Sequence, residues 1–271
     1  MIRNICNGRK YPDNVIDAAL GIGVDFSDGN RAIYIQAIQK MRTRDRSPDS
    51  IIARSITDYC HYRPHDADRT AWLTRNVIVN CTSERTWYMD AYIAGMDRSV
   101  IVQYGPQGAS EIVDGIMEVV DESHINQSPA YLFLNTGTVE NALKGPRTRR
   151  NGILRIFEQC IPKLQHEYRE HFVSTYLKSD NRSLKLLALH MINKRFKELK
   201  HPLLDLDEFK GLNYPELYDL LNNNASELDL DEIGTVRDTI QNTEFETDHQ
   251  LNDRYRNDLL KLLPGYVAPR E

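Results

Sequence analysis

Between Asn76 and Asn141 three short apolar runs, VIVN (77–80), SVIVQY (99–104) and AYLFLN (130–135), each lead through a small, polar turn into a helical pattern. No other feature constrains the fold as much as this repeated order. Strands separated by helices of about 10–15 residues read as βαβ units, and hence as a parallel sheet. Three runs make a small sheet, parallel or mixed, of about three strands flanked by helices. The expected class is therefore α/β, followed by an all-helical C-terminal part, with helix in excess overall. In sheets of this kind ligands bind beyond the C-terminal strand ends. The three polar turns would meet there.

Each turn carries residues suited to a phosphorylated ligand. In GPQGAS (105–110), Gly105 and Gly108 would let the backbone approach an anion, while Gln107 and Ser110 stand at a new helix N-terminus whose amides point outward. The turn lacks the Lys-Ser/Thr of a P-loop and is not GxGxxG. Glycine and proline are also ordinary turn chemistry. In the turn Asn135, Thr136, Gly137, Thr138 an amide and two hydroxyls suit a ribose or phosphate. The plainer reading has Thr136 or Thr138 capping the next helix. After the first run come Ser83, Glu84 and Arg85, where Arg85 would neutralise an anion and Glu84 would serve as a general base. The same TSER is equally a capped, charged first turn.

Outside this stretch the chain reads as helical. Apolar patterns mark short helices over 14–24 and 28–42, and Ser47-Pro48-Asp49 opens another through IIARSITDYC. After KGPRTRRNG the apolar positions Ile153, Ile156, Phe157, Ile161, Leu164, Tyr168, Phe172 and Tyr176 predict one long amphipathic helix over 152–179, bent at Pro162. Asn181 or Ser183 starts the next, LKLLALHMINKRFKELK. Shorter helices follow at PELYDLLNN, DEIGTVRDTI and DHQLNDRYRNDLLKLL. This change of character divides the chain into an N-terminal α/β domain, 1–147, and a helical C-terminal domain, 148–271.

Charge is unevenly spread. Of 34 bases and 39 acids, residues 201–271 hold 6 and 16, leaving a basic body before an acidic C-terminal quarter. Arginine-rich stretches in the body, with Arg42, Arg44 and Arg46 in KMRTRDR and Arg147, Arg149 and Arg150 in KGPRTRR, suit phosphate contact and base stacking. Basic side chains at helix ends also simply complement the dipole. An acidic total argues against a purely electrostatic nucleic-acid binder.

Several classes are disfavoured. The longest apolar runs are about five residues, far from the roughly 20 that span a bilayer, so no membrane partner is expected. MIRNICNGRKYPDN has no apolar core of a secretory signal. Cys6, Cys60, Cys81 and Cys160 form no CxxC pair and are expected as reduced thiols of a cytoplasmic protein. No metal site is expected. His65-Asp66 has no histidine before His61 to complete a set, and HEYREH (166–171) misses every standard ligand spacing. No motif names a cofactor.

The first reading is thus a protein handling a nucleotide or nucleic acid, with enzymatic activity left open. One alternative is a non-catalytic accessory subunit of a replication or transcription assembly, binding nucleic acid through its arginine loops. Another is an assembly protein that associates with itself or a protein partner through its acidic C-terminal helices.

Overall fold

The computed structural model describes Ala71, Thr74, Arg75, Ile78 and Val79, together with residues 104–125, 137–145 and 149–266. The helices expected over 14–60, most of the SVIVQY run and all of the AYLFLN run lie outside the described residues. Among the described residues every regular element is a helix and none is a strand. In chain order they are α1 (Pro106–Ile125), α2 (Val139–Lys144), α3 (Arg149–Cys160), α4 (His166–Tyr176), α5 (Arg182–Lys194), α6 (Phe196–Leu199), α7 (His201–Leu204), α8 (Tyr214–Asn224), α9 (Leu230–Asn242) and α10 (His249–Leu260).

The α/β expectation is therefore corrected, and the first run shows why. Ile78 and Val79 of VIVN are helical, as are Ala71, Thr74 and Arg75. Ala71, Thr74 and Ile78 are buried, a spacing that belongs to one helix face. A short β-branched run does not separate strand from buried helix by its own pattern. The helix cost of Val or Ile over Ala is below about 0.7 kcal/mol, whereas burying such a side chain gains about 1.5–3 kcal/mol. Burial wins.

The chain forms two compact units. The first, residues 1–133 and 145–164, contains α1 and α3 packed on each other. Ala109, Ile112, Val113, Ile116, Met117 and Val120 of α1 are buried, as are Ile153, Leu154, Ile156, Phe157 and Cys160 of α3. The helical positions from Ala71 to Val79 run along α1 at unusually short range. A β-carbon on Gly108 would stand 2.9 Å from the Ala71 Cβ, and one on Gly115 would stand 2.6 Å from the Arg75 Cγ. Arg75 then reaches Glu118 at 2.8 Å.

The second unit, residues 134–144 and 165–271, is built around α5. Residues 184 and 186–192 of α5 are all buried, so the helix is covered on every side, as a central helix must be. α2, α4, α6 and α8 pack against it, and α9 pairs with α10. Polar side chains start the helices: Asn181 accepts from the Ser183 N–H, Asn213 from Glu216, and Asp248 from Leu251. At α9, Asp229 and Glu232 form a reciprocal capping box.

The single bent helix expected over 152–179 is instead two helices. Pro162 sits in a 3-10 turn, Ile161–Lys163, and Leu164 and Gln165 follow in extended conformation before α4 begins. Proline removes a backbone donor and clashes with the preceding turn. Here the interruption is complete, and the two compact units meet in sequence at 164/165.

Candidate functional site

The glycine turn before α1 has a packing explanation for its chemistry. Gly105 begins α1, its carbonyl accepting the Ala109 N–H at 3.0 Å. Gly108 is buried where α1 meets Ala71, so its missing side chain admits a neighbouring helix rather than an anion. The Ser110 hydroxyl donates back to the Gln107 carbonyl at 2.9 Å, while Gln107 is exposed. Preceding this turn, Tyr104 is buried and held at both ends. Its hydroxyl lies 2.7 Å from the Thr74 Oγ1, and its carbonyl accepts from the Lys163 Nζ at 3.0 Å.

The second turn is occupied by the protein's own groups. Gly137 takes φ 118°, a conformation strained for any side chain. Thr138 caps α2, its Oγ1 accepting the Asn141 N–H at 3.1 Å. The Val139 N–H, the donor that an anion at this turn would use, goes to the Glu216 Oε2 at 2.8 Å. The capping reading of Thr138 is the one observed, and a carboxylate from α8 takes the amide that a ribose or phosphate would have used.

That carboxylate is the centre of a buried network. Glu216 and His190 each have side chains only 1% exposed, and the His190 Nδ1 lies 3.0 Å from the Glu216 Oε1. One carboxylate oxygen thus pairs with the imidazole and the other accepts from the Val139 N–H. The His190 Nε2 is buried without a hydrogen-bond partner. One side chain thus joins the start of α2, the middle of α5 and the first turn of α8. Lys194 of α5 adds a second tie to α2 through Glu140 at 3.1 Å, and that hydrogen bond holds the Glu140 carboxyl below its ordinary value of 4.5. Sequence reasoning missed this network. Asn213-Tyr-Pro-Glu216 has the form of a capping box, in which the glutamate turns back to its own helix start. Here Asn213 does cap α8, but Glu216 points into the core.

A second missed feature lies at the surface of the same unit. Tyr214 stacks face to face on Tyr255 with centroids 3.8 Å apart, and meets Phe245 edge-on at 6.3 Å and Tyr218 at 6.2 Å. All four rings are half-buried. The link carrying Phe245 is fastened to α10: the buried Asn252 Oδ1 accepts the Phe245 N–H at 2.8 Å, and the Arg256 Nε donates to the Thr243 carbonyl at 2.9 Å. Burial pushes the Tyr214 phenol up to about 12, and the nearby Asp258 adds to the shift. The i,i+4 spacing of Tyr214 and Tyr218 was the available signal.

The remaining expectations distribute as follows. Ser83, Glu84, Arg85, Arg42, Arg44, Arg46, Asn135, Thr136 and Arg147 lie outside the described residues. Arg149 and Arg150 open α3 instead of standing in a loop. In HEYREH, His166 and Glu170 are exposed and 3.9 Å apart, an i,i+4 pair on a solvated face. Among the described residues no group of three or more His, Cys, Asp or Glu is placed to hold a metal ion. No described helix is long and apolar enough to cross a membrane.

The nucleotide-site reading is corrected by these placements. It required turns gathered at the ends of parallel strands, and the described residues contain no strand. Among the described residues there is no structural basis for strand-to-helix nucleotide-binding turns. Comparison with protein families, curated proteins and solved structures finds no match to the chain.

Proposed function

We propose that the protein is a non-catalytic assembly protein of the cytoplasm that associates through its C-terminal helical unit. The observation that carries this reading is the half-exposed cluster of Tyr214, Tyr218, Phe245 and Tyr255, contributed by α8, α10 and the link before α10. Tyrosine supplies a large, stiff contact area with a polar tip, and aromatic residues are enriched where proteins meet. The cluster is rigidly held, which lowers the ordering cost of docking. Meanwhile Glu216, Thr138 and the capping side chains consume the polar groups that a small-molecule site would offer. The four scattered cysteines, with Cys160 a buried free thiol, fit a reducing compartment.

Sedimentation velocity on the full chain across a hundredfold range of concentration tests the reading. A sedimentation coefficient that rises with concentration is the expected result. A monomer throughout would overturn self-association.

A further inference from the structure

The aromatic cluster sits in an acidic setting. Glu244 and Glu246, both exposed, flank Phe245 in the chain, Asp219 follows Tyr218, and Asp258 lies close to Tyr214. Asp258 has two counter-charges, Lys261 at 3.3 Å and Arg254 at 3.7 Å. The same unit carries the opposite character elsewhere. Lys178 and Arg182 are exposed and Lys185 half-buried where the chain passes from α4 into α5. Asp180 offsets them there, and the exposed Asp207 and Glu208 stand just before Lys210. The Lys185 Nζ comes within 3.2 Å of where a Gly211 side chain would start, next to the exposed Lys210. Among the described residues none of these four bases has an ion pair or side-chain hydrogen bond. Other bases of the unit are already committed: Lys194 to Glu140, Lys197 to Glu227, and Lys200 to Glu232.

We infer that the occupant of the aromatic face is a second copy of this chain, docked head to tail through its basic corner at Lys178, Arg182, Lys185 and Lys210. The inference rests on the self-association reading and adds which surfaces meet. Two acidic faces brought together would repel, so a symmetric contact through this cluster is disfavoured. A basic corner against it gains electrostatic complementarity and sets guanidinium or ammonium groups over tyrosine faces. Tyrosine and arginine are also both among the residue types enriched where binding energy concentrates. A head-to-tail contact leaves one face and one corner free on every dimer, so association continues into rings or filaments.

The test uses two surface variants of the full chain. Glu244→Lys with Glu246→Lys reverses the acidic face, and Arg182→Glu with Lys185→Glu reverses the basic corner. Sedimentation velocity should find each variant at least tenfold weaker in self-association than the parent. An equimolar mixture, which sets an intact face against an intact corner and the two reversed surfaces against each other, should recover association. Association of the parent should weaken as salt rises. Parent association that strengthens with salt, or that survives either reversal, would overturn the head-to-tail contact while leaving self-association standing. Variants that fail separately and also fail when mixed would overturn it in the same way. A parent that stays monomeric at low salt and high concentration would overturn both readings.

Discussion

Replacing Glu216 by Ala should loosen α2, α5 and α8 together, because one carboxylate serves all three. Two consequences add. The Val139 N–H, now paired at 2.8 Å, becomes a buried donor without an acceptor, at about 1–3 kcal/mol. The His190 ring, whose Nε2 is already without a partner, loses its Nδ1 partner as well, at a further ~1–3 kcal/mol. Together these amount to about 2–6 kcal/mol, a change of about one and a half to four decades in an opening equilibrium. With two compact units a single unfolding free energy is poorly defined, so the assay is native-state hydrogen exchange read by peptide mass spectrometry. Peptides from 138–144, 182–194 and 214–224 should lose protection together, while those from 106–120 should not change. Glu216→Gln keeps one acceptor and the shape, and should cost about half as much or less. Loss of protection below tenfold in Glu216→Ala, or confined to α8, would refute the account of Glu216 as a shared tie.

Three further outcomes are expected. Gly108→Ala places a methyl 2.9 Å from the Ala71 Cβ and should destabilise the first unit by about 1–3 kcal/mol, whereas Gly105→Ala, with nothing within 4 Å, should stay within ~0.5 kcal/mol; equal effects in thermal melts would remove the packing role of Gly108. The Glu232 carboxyl is held below its ordinary 4.5 by its hydrogen bond from Lys200, so its contribution is present above that value and disappears as pH falls through the lowered one. Acid titration of exchange in α9 should therefore show Lys200→Met flattening the loss of protection below pH 4.5, and an unchanged profile would refute the tie. Burial pushes the Cys160 thiol up to about 12, so peptide mapping after alkylation at pH 8 should find Cys160 unmodified in the native chain and modified in denaturant; rapid native labelling would contradict its burial in α3.

The C-terminal helices were legible in the sequence because their signals are local. Asn181 before an apolar run, Asn213-Tyr-Pro-Glu216, and Asp229 followed by Glu232 each start a helix with groups only a few residues apart. The VIVN run was misread for a complementary reason. Its apolar residues are contiguous, so period 2 and period 3.6 fit equally well, and only the upstream Ala71 and Thr74 reveal the helical face. Pro162 was read only as a bend within one helix, and the full break depends on Leu164 and Gln165 taking extended dihedrals. That choice is settled by what each following helix packs on, and packing is not a local property.

The ambiguity between ligand turn and helix cap at 135–138 has a sharper physical origin. A capped helix start after glycine presents the same amides whether it meets a phosphate or a carboxylate of its own chain. Nothing in Gly137-Thr138-Val139 distinguishes the two, because the deciding residue, Glu216, lies 77 positions away from Val139. What the sequence does contain is a glutamate at the third position of α8, where a reciprocal cap is the local expectation. The local rule fails at Glu216 because the core offers more: a backbone donor, an imidazole nitrogen and exclusion of water. In such surroundings a charge-assisted hydrogen bond is about twice as strong as a neutral one, whereas the forgone cap at the α8 start is worth about 0.5–2 kcal/mol and is still half supplied by Asn213. An anion-binding turn read from sequence therefore has to be weighed against every acidic residue that the fold can bring to it.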